Sequence, residues 1–208
     1  MNSKSILLLV ASASIAMSFA TAAENVSAIK WQDGDIVLSR SERGQGEAII
    51  AATGSSITHC GVVFSENGKQ MVLEAVQPVG RLPLAQFISR STAGTITALR
   101  LRTPLSTDRL RKARAWAEAQ IGKDYDVRFS WGDDKLYCSE LVWKFYLQAG
   151  VELCAPRRFR DYDLEKPAVR KIIEERFGGM AKVPLDEKVV APSDLAASPF
   201  LMEVSVTP

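Results

Sequence analysis

The alternation of apolar and polar positions along the chain predicts a series of short strands. Apolar, β-branched runs indicate strands at residues 35–38 and 95–102, and residues 58–76 hold two more such runs. The dipeptide Asn67-Gly68 separates these two runs and is a strong signal for a two-residue hairpin turn. Residues 58–76 are therefore predicted to form an antiparallel hairpin.

Helical spacing and helix-end signals predict three longer helices and two short ones. The longer helices are predicted over residues 106–121, 138–150 and 164–177, and the short ones over residues 46–53 and directly after Pro83. Residues 79–87 are otherwise predicted to be irregular, residues 125–131 to be extended, and the tail from Lys182 shows little periodicity. Because strands and helices do not alternate as βαβ units, the pattern indicates an α+β fold with an antiparallel sheet.

The first 22 residues have the order of a secretory signal peptide. Lys4 precedes an apolar run, and the small residues Ala20-Thr21-Ala22 follow as a cleavage site. The run is short and broken by serines, whereas a membrane anchor needs about 20 apolar residues. We therefore predict a signal peptide over residues 1–22, one domain over residues 23–208, no stable membrane insertion, and a periplasmic or secreted protein.

The charge balance argues against nucleic-acid and membrane binding, and the cysteine count leaves open whether a disulfide forms. The chain has 26 basic and 24 acidic residues, which gives no support for a nucleic-acid or polybasic membrane role. Three cysteines in an oxidising compartment leave one thiol over, so Cys60 and Cys154 either pair or remain buried free thiols. A single histidine and the absence of a C-x-x-C pair argue against zinc, and the sequence implies no cofactor.

Cys138 is the candidate nucleophile because it lies at the predicted start of a helix. Unpaired N–H groups and the helix dipole stabilise a thiolate there, and the same N–H groups can bind an oxyanion. A thiol nucleophile also needs a base and a group that orients the base. His59 is the only histidine in the chain, so a Cys-His enzyme of this sequence must use it.

The predicted hairpin supplies the third group. A turn at residues 67–68 pairs Glu66 with Lys69, which places Glu74 opposite Gly61 and diagonal to His59 on the same face of the sheet. Glu74 is then within reach of the imidazole, while Cys60 lies on the opposite face. Cys60 is therefore predicted to be a core residue and a poor nucleophile.

Two tyrosines are secondary candidates for the site. Like Cys138, His59 and Glu74, they also have an ordinary structural explanation. A hydroxyl of Tyr125 or Tyr137 near the thiolate would donate to an oxyanion or bind substrate. The alternative is a core aromatic ring with a satisfied hydroxyl, which is slightly favoured for Tyr137.

The motifs around these residues resemble a known group of enzymes. His59 lies in THCGVV, Glu74 in VLEAV and Cys138 in YCSELVWKFY, with GKDYD upstream of the cysteine. Together they resemble the circularly permuted papain-like cysteine hydrolases related to the NlpC amidases, specifically the YiiX group. The resemblance runs from WQDGDIVLSR to VPLDEKVVAPSDL, and one departure is Asp124, where the YiiX pattern usually has proline.

The resemblance implies a fold and a set of roles. The fold would be a small antiparallel sheet packed against helices, and the order of histidine before cysteine is what a circular permutation implies. Cys138 would be the nucleophile, His59 the general base and Glu74 the orienting acid.

The leading hypothesis is an exported cysteine hydrolase that cleaves amide bonds through an acyl-enzyme, and the resemblance implies peptides or cell-wall peptide stems as its substrates. One alternative is a lipid acyl hydrolase or acyltransferase with the same triad. In the wider permuted class that this sequence resembles, the acyltransferases usually have a second histidine in place of Glu74, which argues against this alternative. The other alternative is a non-catalytic peptide or amino-acid binding module. The sequence does not indicate the oligomeric state.

Overall fold

The structure is a computed structural model that describes residues 29–41 and 44–204. The predicted signal peptide, residues 1–22, lies outside the described residues and stays a prediction. In the described ranges no helix combines the length and the apolar character needed to cross a membrane.

A six-stranded antiparallel sheet forms the centre of the fold, and two further strands form a separate sheet. The strands of the described chain are β1 (Ile36–Ser39), β2 (His59–Glu66), β3 (Lys69–Glu74), β4 (Gly80–Pro83), β5 (Thr97–Leu101), β6 (Arg157–Arg158), β7 (Lys188–Val189) and β8 (Leu201–Glu203). The strand order of the central sheet is β4-β3-β2-β1-β5-β8, and β6 pairs with β7 in the second sheet.

Helices cover both faces of this sheet, which confirms the α+β prediction. They are α1 (Gly46–Thr53), α2 (Leu84–Arg90), α3 (Thr107–Glu118), α4 (Cys138–Gln148), α5 (Pro167–Phe177) and α6 (Pro192–Ala196), with short 3-10 turns at Phe159–Asp161 and Met180–Lys182.

The hairpin has the predicted register. Glu66 pairs with Lys69, and Val62 pairs with Leu73. Asn67 and Gly68 have φ angles of 50° and 75°, which is the left-handed conformation that a tight two-residue hairpin requires. This register determines which side chains of β2 and β3 share a face.

The two faces of the sheet contribute to different apolar clusters. Ile36, Cys60 and Phe64 belong to the main core, which also includes Leu141 and Phe145 of α4. The prediction that Cys60 is a core residue is confirmed. The alternate positions on the strands contribute to a second cluster with α2, made of Val37, Val63, Val72, Leu84 and Phe87.

Some predicted elements differ from the structure. The irregular stretch after residue 79 contains β4, and only the brief helix after Pro83 was predicted there. The predicted extended segment over residues 125–131 is wrong, because its extended structure is limited to a single β-bridge between Tyr125 and Leu136. The Asp126 carboxylate accepts hydrogen bonds from the backbone N–H groups of Arg128 and Ser130, both at 2.8 Å, and so holds a turn.

The ends of two helices and the C-terminal tail also differ. Helix α3 ends at Glu118 rather than at residue 121, and α5 begins at Pro167 rather than at residue 164, since proline suits the first helical position. The tail contains α6 and β8, and β8 is an edge strand of the sheet in which Leu101 pairs with Leu201. Three strand residues are too few to produce a visible alternation in the sequence.

Candidate active site

Cys138 is the first residue of α4, and the residue before it is the N-cap. Tyr137 occupies the N-cap position with extended backbone, and the Glu140 carboxylate accepts the Tyr137 N–H at 3.4 Å. Cys138 is almost fully buried in the main core. The helix therefore holds the thiol at its positive end, as the sequence predicted.

His59 and Glu74 meet across the hairpin. The Nε2 atom of His59 lies 2.6 Å from Oε2 of Glu74, and the Glu74 side chain is only 2% exposed. The imidazole ring stacks on Phe87 of α2, with ring centroids 5.5 Å apart and planes 18° from parallel. These contacts fix the ring orientation and leave the other ring nitrogen, Nδ1, for the thiol of Cys138.

Arg90 completes the group, and the sequence did not single it out. Its Nη2 atom lies 2.5 Å from Oε1 of Glu74, so each oxygen of the carboxylate contacts a different cationic partner. Arg90 is the last residue of α2, whose helical pattern was predicted. Nothing in the pattern distinguishes this arginine from an ordinary surface residue, because its partner lies 16 positions away along the chain.

The charges of this group favour a thiolate and an imidazolium. The hydrogen bond from Cys60 and the contacts with His59 outweigh burial and hold the pKa of Cys138 well below its ordinary value. Burial alone would lower the pKa of His59, but Cys138 and Glu74 raise it to about 10. Burial likewise opposes ionisation of Glu74, but His59 and Arg90 lower its pKa below the ordinary value.

Cys60 contacts Cys138, and no feature of the sequence pattern indicates this contact. Burial, followed by the neighbouring Cys138, raises the pKa of Cys60, so Cys60 remains a protonated donor. His59 and Cys60, the first two residues of β2, therefore both reach Cys138 although their side chains lie on opposite faces of the sheet. They can do so because Cys138 lies near the beginning of β2. All three cysteines lie in the described chain and are free thiols, so the possible Cys60–Cys154 pairing is not present.

Two clefts meet at this group. We call the first the apolar cleft, because nearly all its exposed lining is apolar, and the second, which contains polar and charged side chains, the polar cleft. Cys138 lines the apolar cleft, His59 lines the polar cleft, and Gln45 and Ile49 line both. Other residues of the apolar cleft include Ala48, Ala52, Phe129, Leu164, Val169, Ile172 and Phe177. The polar cleft also contains Ser39, Ser41, Thr58, Phe87, Arg90 and Ser91.

Both candidate tyrosines line the apolar cleft, but their hydroxyls differ. The Tyr137 hydroxyl accepts the backbone N–H of Val190 at 3.2 Å, and its ring packs edge-on against Phe129. The Tyr125 hydroxyl instead accepts a hydrogen bond from Gln45 Nε2 at 2.6 Å. Burial, followed by the charge on Cys138, raises the pKa of Tyr125, so this hydroxyl keeps its proton. Tyr137 therefore matches the core alternative more closely, and Tyr125 is the tyrosine directed to the site.

A family model matches almost all of the described chain. The matching model is that of the permuted papain-like amidase enzymes of the YaeF/YiiX group, the C92 family, and it covers residues 30–205. The chain belongs to this family. The resemblance seen in the motifs and the permuted papain-like fold are thereby confirmed, and the family supports cysteine hydrolase chemistry.

Relatives from Escherichia coli agree with this assignment. The chain is 37% identical over 184 residues to the uncharacterized protein YiiX of strain K12, covering 87% of this chain and 90% of YiiX. It is also similar to the crystal structure of the metalloprotein YiiX from O157:H7, with a TM-score of 0.79 and 38% identity. That match covers 84% of this chain and 96% of the other.

The described residues of this chain do not fit a metal centre. Within residues 29–41 and 44–204, no group of three or more His, Cys, Asp and Glu side chains is arranged to hold a metal ion. No step of the reaction is therefore assigned to a metal.

Proposed function

We propose that this protein is an exported cysteine amidase in which Cys138 is the nucleophile, His59 the proton-transfer residue and Glu74 the orienting acid. The observation that carries the proposal is the 2.6 Å contact between His59 Nε2 and Glu74, which presents the other ring nitrogen to the Cys138 thiol. Membership of an amidase family supports the same chemistry.

The reaction follows from this arrangement. The Cys138 thiolate attacks the substrate carbonyl carbon, and N–H groups at the start of α4 stabilise the resulting oxyanion. The His59 imidazolium donates its proton to the leaving nitrogen as the carbon–nitrogen bond breaks, which leaves a thioester on Cys138. Neutral His59 then takes a proton from water, whose oxygen attacks the thioester and releases the acid.

Glu74 and Arg90 support this cycle without touching the substrate. Glu74 stabilises the charged imidazole and holds its ring in place, as an orienting acid does in other triads. Arg90 acts together with His59 to keep Glu74 ionised, because burial of the carboxylate opposes its ionisation.

The apolar cleft favours a substrate whose acyl portion is apolar. Cys138 opens into this cleft, whose lining includes Ile172, Val169 and Phe177. Transfer of an apolar side chain or an acyl chain from water into this cleft lowers the free energy, whereas the polar residues of a cell-wall peptide stem would not be stabilised in this way. Substrates with apolar acyl groups are therefore favoured, and the lipid acyl hydrolase remains the second candidate function.

The proposal is tested with four matched substrates. A dodecanoyl group and a polar glutamyl group are each joined to one reporter, once by an amide and once by an ester. The protein without residues 1–22 should hydrolyse the dodecanoyl amide and form a mass-detectable acyl-enzyme, and Cys138→Ala should do neither. Cys154→Ala is the matched control, since Cys154 lies outside both clefts, and it should retain full activity.

The other outcomes distinguish the candidate functions. Hydrolysis of the ester with no action on either amide would support the lipid acyl hydrolase. Turnover that persists in Cys138→Ala would exclude Cys138 as nucleophile. The absence of turnover and of acyl-enzyme with all four substrates would favour the binding module.

Export is a separate part of the proposal and rests on residues 1–22 alone. Expression of the full chain in a bacterium should yield a periplasmic or secreted product whose N-terminus begins just after Ala22 or Ala23. An unprocessed protein in the cytoplasmic fraction would contradict this part without affecting the chemistry.

A further inference from the structure

Gln45 lies where the two clefts meet, and its side chain has no structural task at the helix it precedes. It occupies the N-cap position of α1 but makes no side-chain capping hydrogen bond. Glutamine is not among the residues that favour this position, where Ser, Thr, Asp and Asn predominate. The side chain instead lines both the cleft of Cys138 and the cleft of His59.

The amide of Gln45 has one group engaged and one group without a partner. Its Nε2 donates to the Tyr125 hydroxyl at 2.6 Å. Its Oε1 is buried and has no hydrogen-bond partner in the described part of the chain. A buried carbonyl oxygen without a donor is unfavourable, so an acceptor of this kind at a site is suited to a donor from the ligand.

The contact with Tyr125 determines which group of the Gln45 amide is left without a partner. Because Nε2 donates to the hydroxyl, the oxygen is the group that remains to accept a hydrogen bond from a ligand. The Tyr125 hydroxyl accepts a hydrogen bond from Gln45, so its own O–H remains free to donate to a ligand in the apolar cleft, which Cys138 also lines. One side chain thus presents an acceptor, and its neighbour presents a donor.

We propose that Gln45 is a specificity-determining residue whose Oε1 accepts the N–H of the substrate amide next to the carbonyl that Cys138 attacks. The acyl portion of the substrate would lie in the apolar cleft and the leaving group in the polar cleft. The amide nitrogen of the bound substrate would then lie beside Gln45, where the two clefts meet. An ester presents an oxygen there and leaves Oε1 without a donor, so the site selects amides over esters.

This inference rests on the proposed function, because it assumes that Cys138 attacks next to the recognised N–H. A thiolate attacks both amides and esters, so the triad of Cys138, His59 and Glu74 does not by itself select amides. Recognition of the N–H by Gln45 would provide that selectivity. Rejection of an analogue that lacks a required donor is a known way to obtain specificity, because a buried acceptor is left unpaired.

The test uses alkylation of Cys138, so that it does not depend on turnover. The probes are N-hexyl iodoacetamide and hexyl iodoacetate, which differ by an N–H in place of an oxygen. The rate of each at Cys138 is measured by peptide mass spectrometry at pH 7, and the amide-to-ester ratio is divided by the same ratio for glutathione. Changes in the pKa of Cys138 cancel in this ratio because both probes react with the same thiolate.

The wild-type ratio should exceed that of glutathione by about tenfold, which corresponds to one hydrogen bond of about 1.4 kcal/mol. Gln45→Leu should bring the ratio close to that of glutathione. Gln45→Glu keeps an acceptor and should retain the preference even where both rates fall. Circular dichroism and thermal melting check that the variants fold, and the wild-type ratio tests the inference without any variant.

Two results would overturn the inference, and they differ from failure of the proposed function. A wild-type ratio equal to that of glutathione, or a preference that Gln45→Leu retains, would exclude N–H recognition by Gln45 while Cys138 remains reactive. If Cys138 reacts with both probes more slowly than glutathione does, the proposed nucleophile fails, and the inference fails with it.

Discussion

The Nε2 atom of His59 lies 2.6 Å from Oε2 of Glu74, and the two residues are diagonal neighbours across the β2–β3 hairpin. This contact exists only because the two-residue turn at Asn67-Gly68 sets the register, since a slip by one residue would turn Glu74 to the other face. The orientation of the imidazole, and with it the chemistry of Cys138, therefore depends on a turn at the far end of the hairpin.

The reactivity of Cys138 should be nearly independent of pH across the neutral range. Its alkylation rate should rise as pH passes the lowered pKa of Cys138 and then stay level, because the pKa of His59 is about 10. Iodoacetamide labelling followed by peptide mass spectrometry measures this profile. His59→Ala should move the rise up toward about pH 8.5, the value of an ordinary cysteine. A midpoint already near that value in the wild-type protein would contradict the thiolate–imidazolium pair.

Arg90 should influence the acidic limb of the activity profile. Its contact lowers the pKa of Glu74, so removing it raises that pKa. A protonated Glu74 no longer stabilises the His59 imidazolium, and activity is then lost at a higher pH. Arg90→Leu should therefore shift the acidic limb of the kcat/KM profile to higher pH, while Arg90→Lys should shift it less.

Arg81 offers a matched control for this experiment. It is an exposed arginine that pairs with Glu66 rather than with Glu74. Arg81→Leu should leave the pH profile unchanged. An acidic limb that does not move in Arg90→Leu would show that Arg90 is a surface partner of Glu74 without influence on the site.

Cys60 should contribute to the thiolate through its hydrogen bond. Cys60→Ala removes that donor, so the pKa of Cys138 should rise and labelling at pH 6 should become slower. Cys60→Ser keeps a donor and should retain more of the labelling rate. Cys154→Ala should have no effect, because Cys154 lies away from the site. Equal rates in the wild-type protein and Cys60→Ala would remove Cys60 from the account of the thiolate.

Gly61 should be required for close packing of the hairpin. A Cβ atom at this position would contact the Val72 side chain and lie 2.9 Å from the Leu73 carbonyl oxygen. Gly61→Ala should lower the free energy of unfolding by about 1–3 kcal/mol, as overpacking of a core does. Gly132→Ala is the control, since a Cβ there has no heavy atom within 4 Å other than those of its own and the adjoining residues. Urea unfolding of both variants measures the difference, and equal stability would show that β2 and β3 can move apart.

Much of the fold could be predicted because its signals are local. The helix over residues 46–53 and the hairpin register matched the structure, since a glycine end signal and an Asn-Gly turn act on neighbouring residues. Strands β4 and β8 were not predicted, because they are short and depend on a partner elsewhere in the chain. The turn over residues 126–130 was also missed, since it depends on hydrogen bonds from Asp126.

The sequence by itself determined the candidate nucleophile, the histidine and the acid. A single histidine limits the choice of base, helix periodicity places Cys138 at a helix start, and period-two alternation places Glu74 beside His59. Only the tertiary structure brought Arg90, Cys60 and Gln45 to the same site. Their side chains come from separate elements, and no short-range pattern reports a contact between residues far apart in the chain. Packing of helices on both faces of the sheet decided those contacts, because burial requires distant segments to meet.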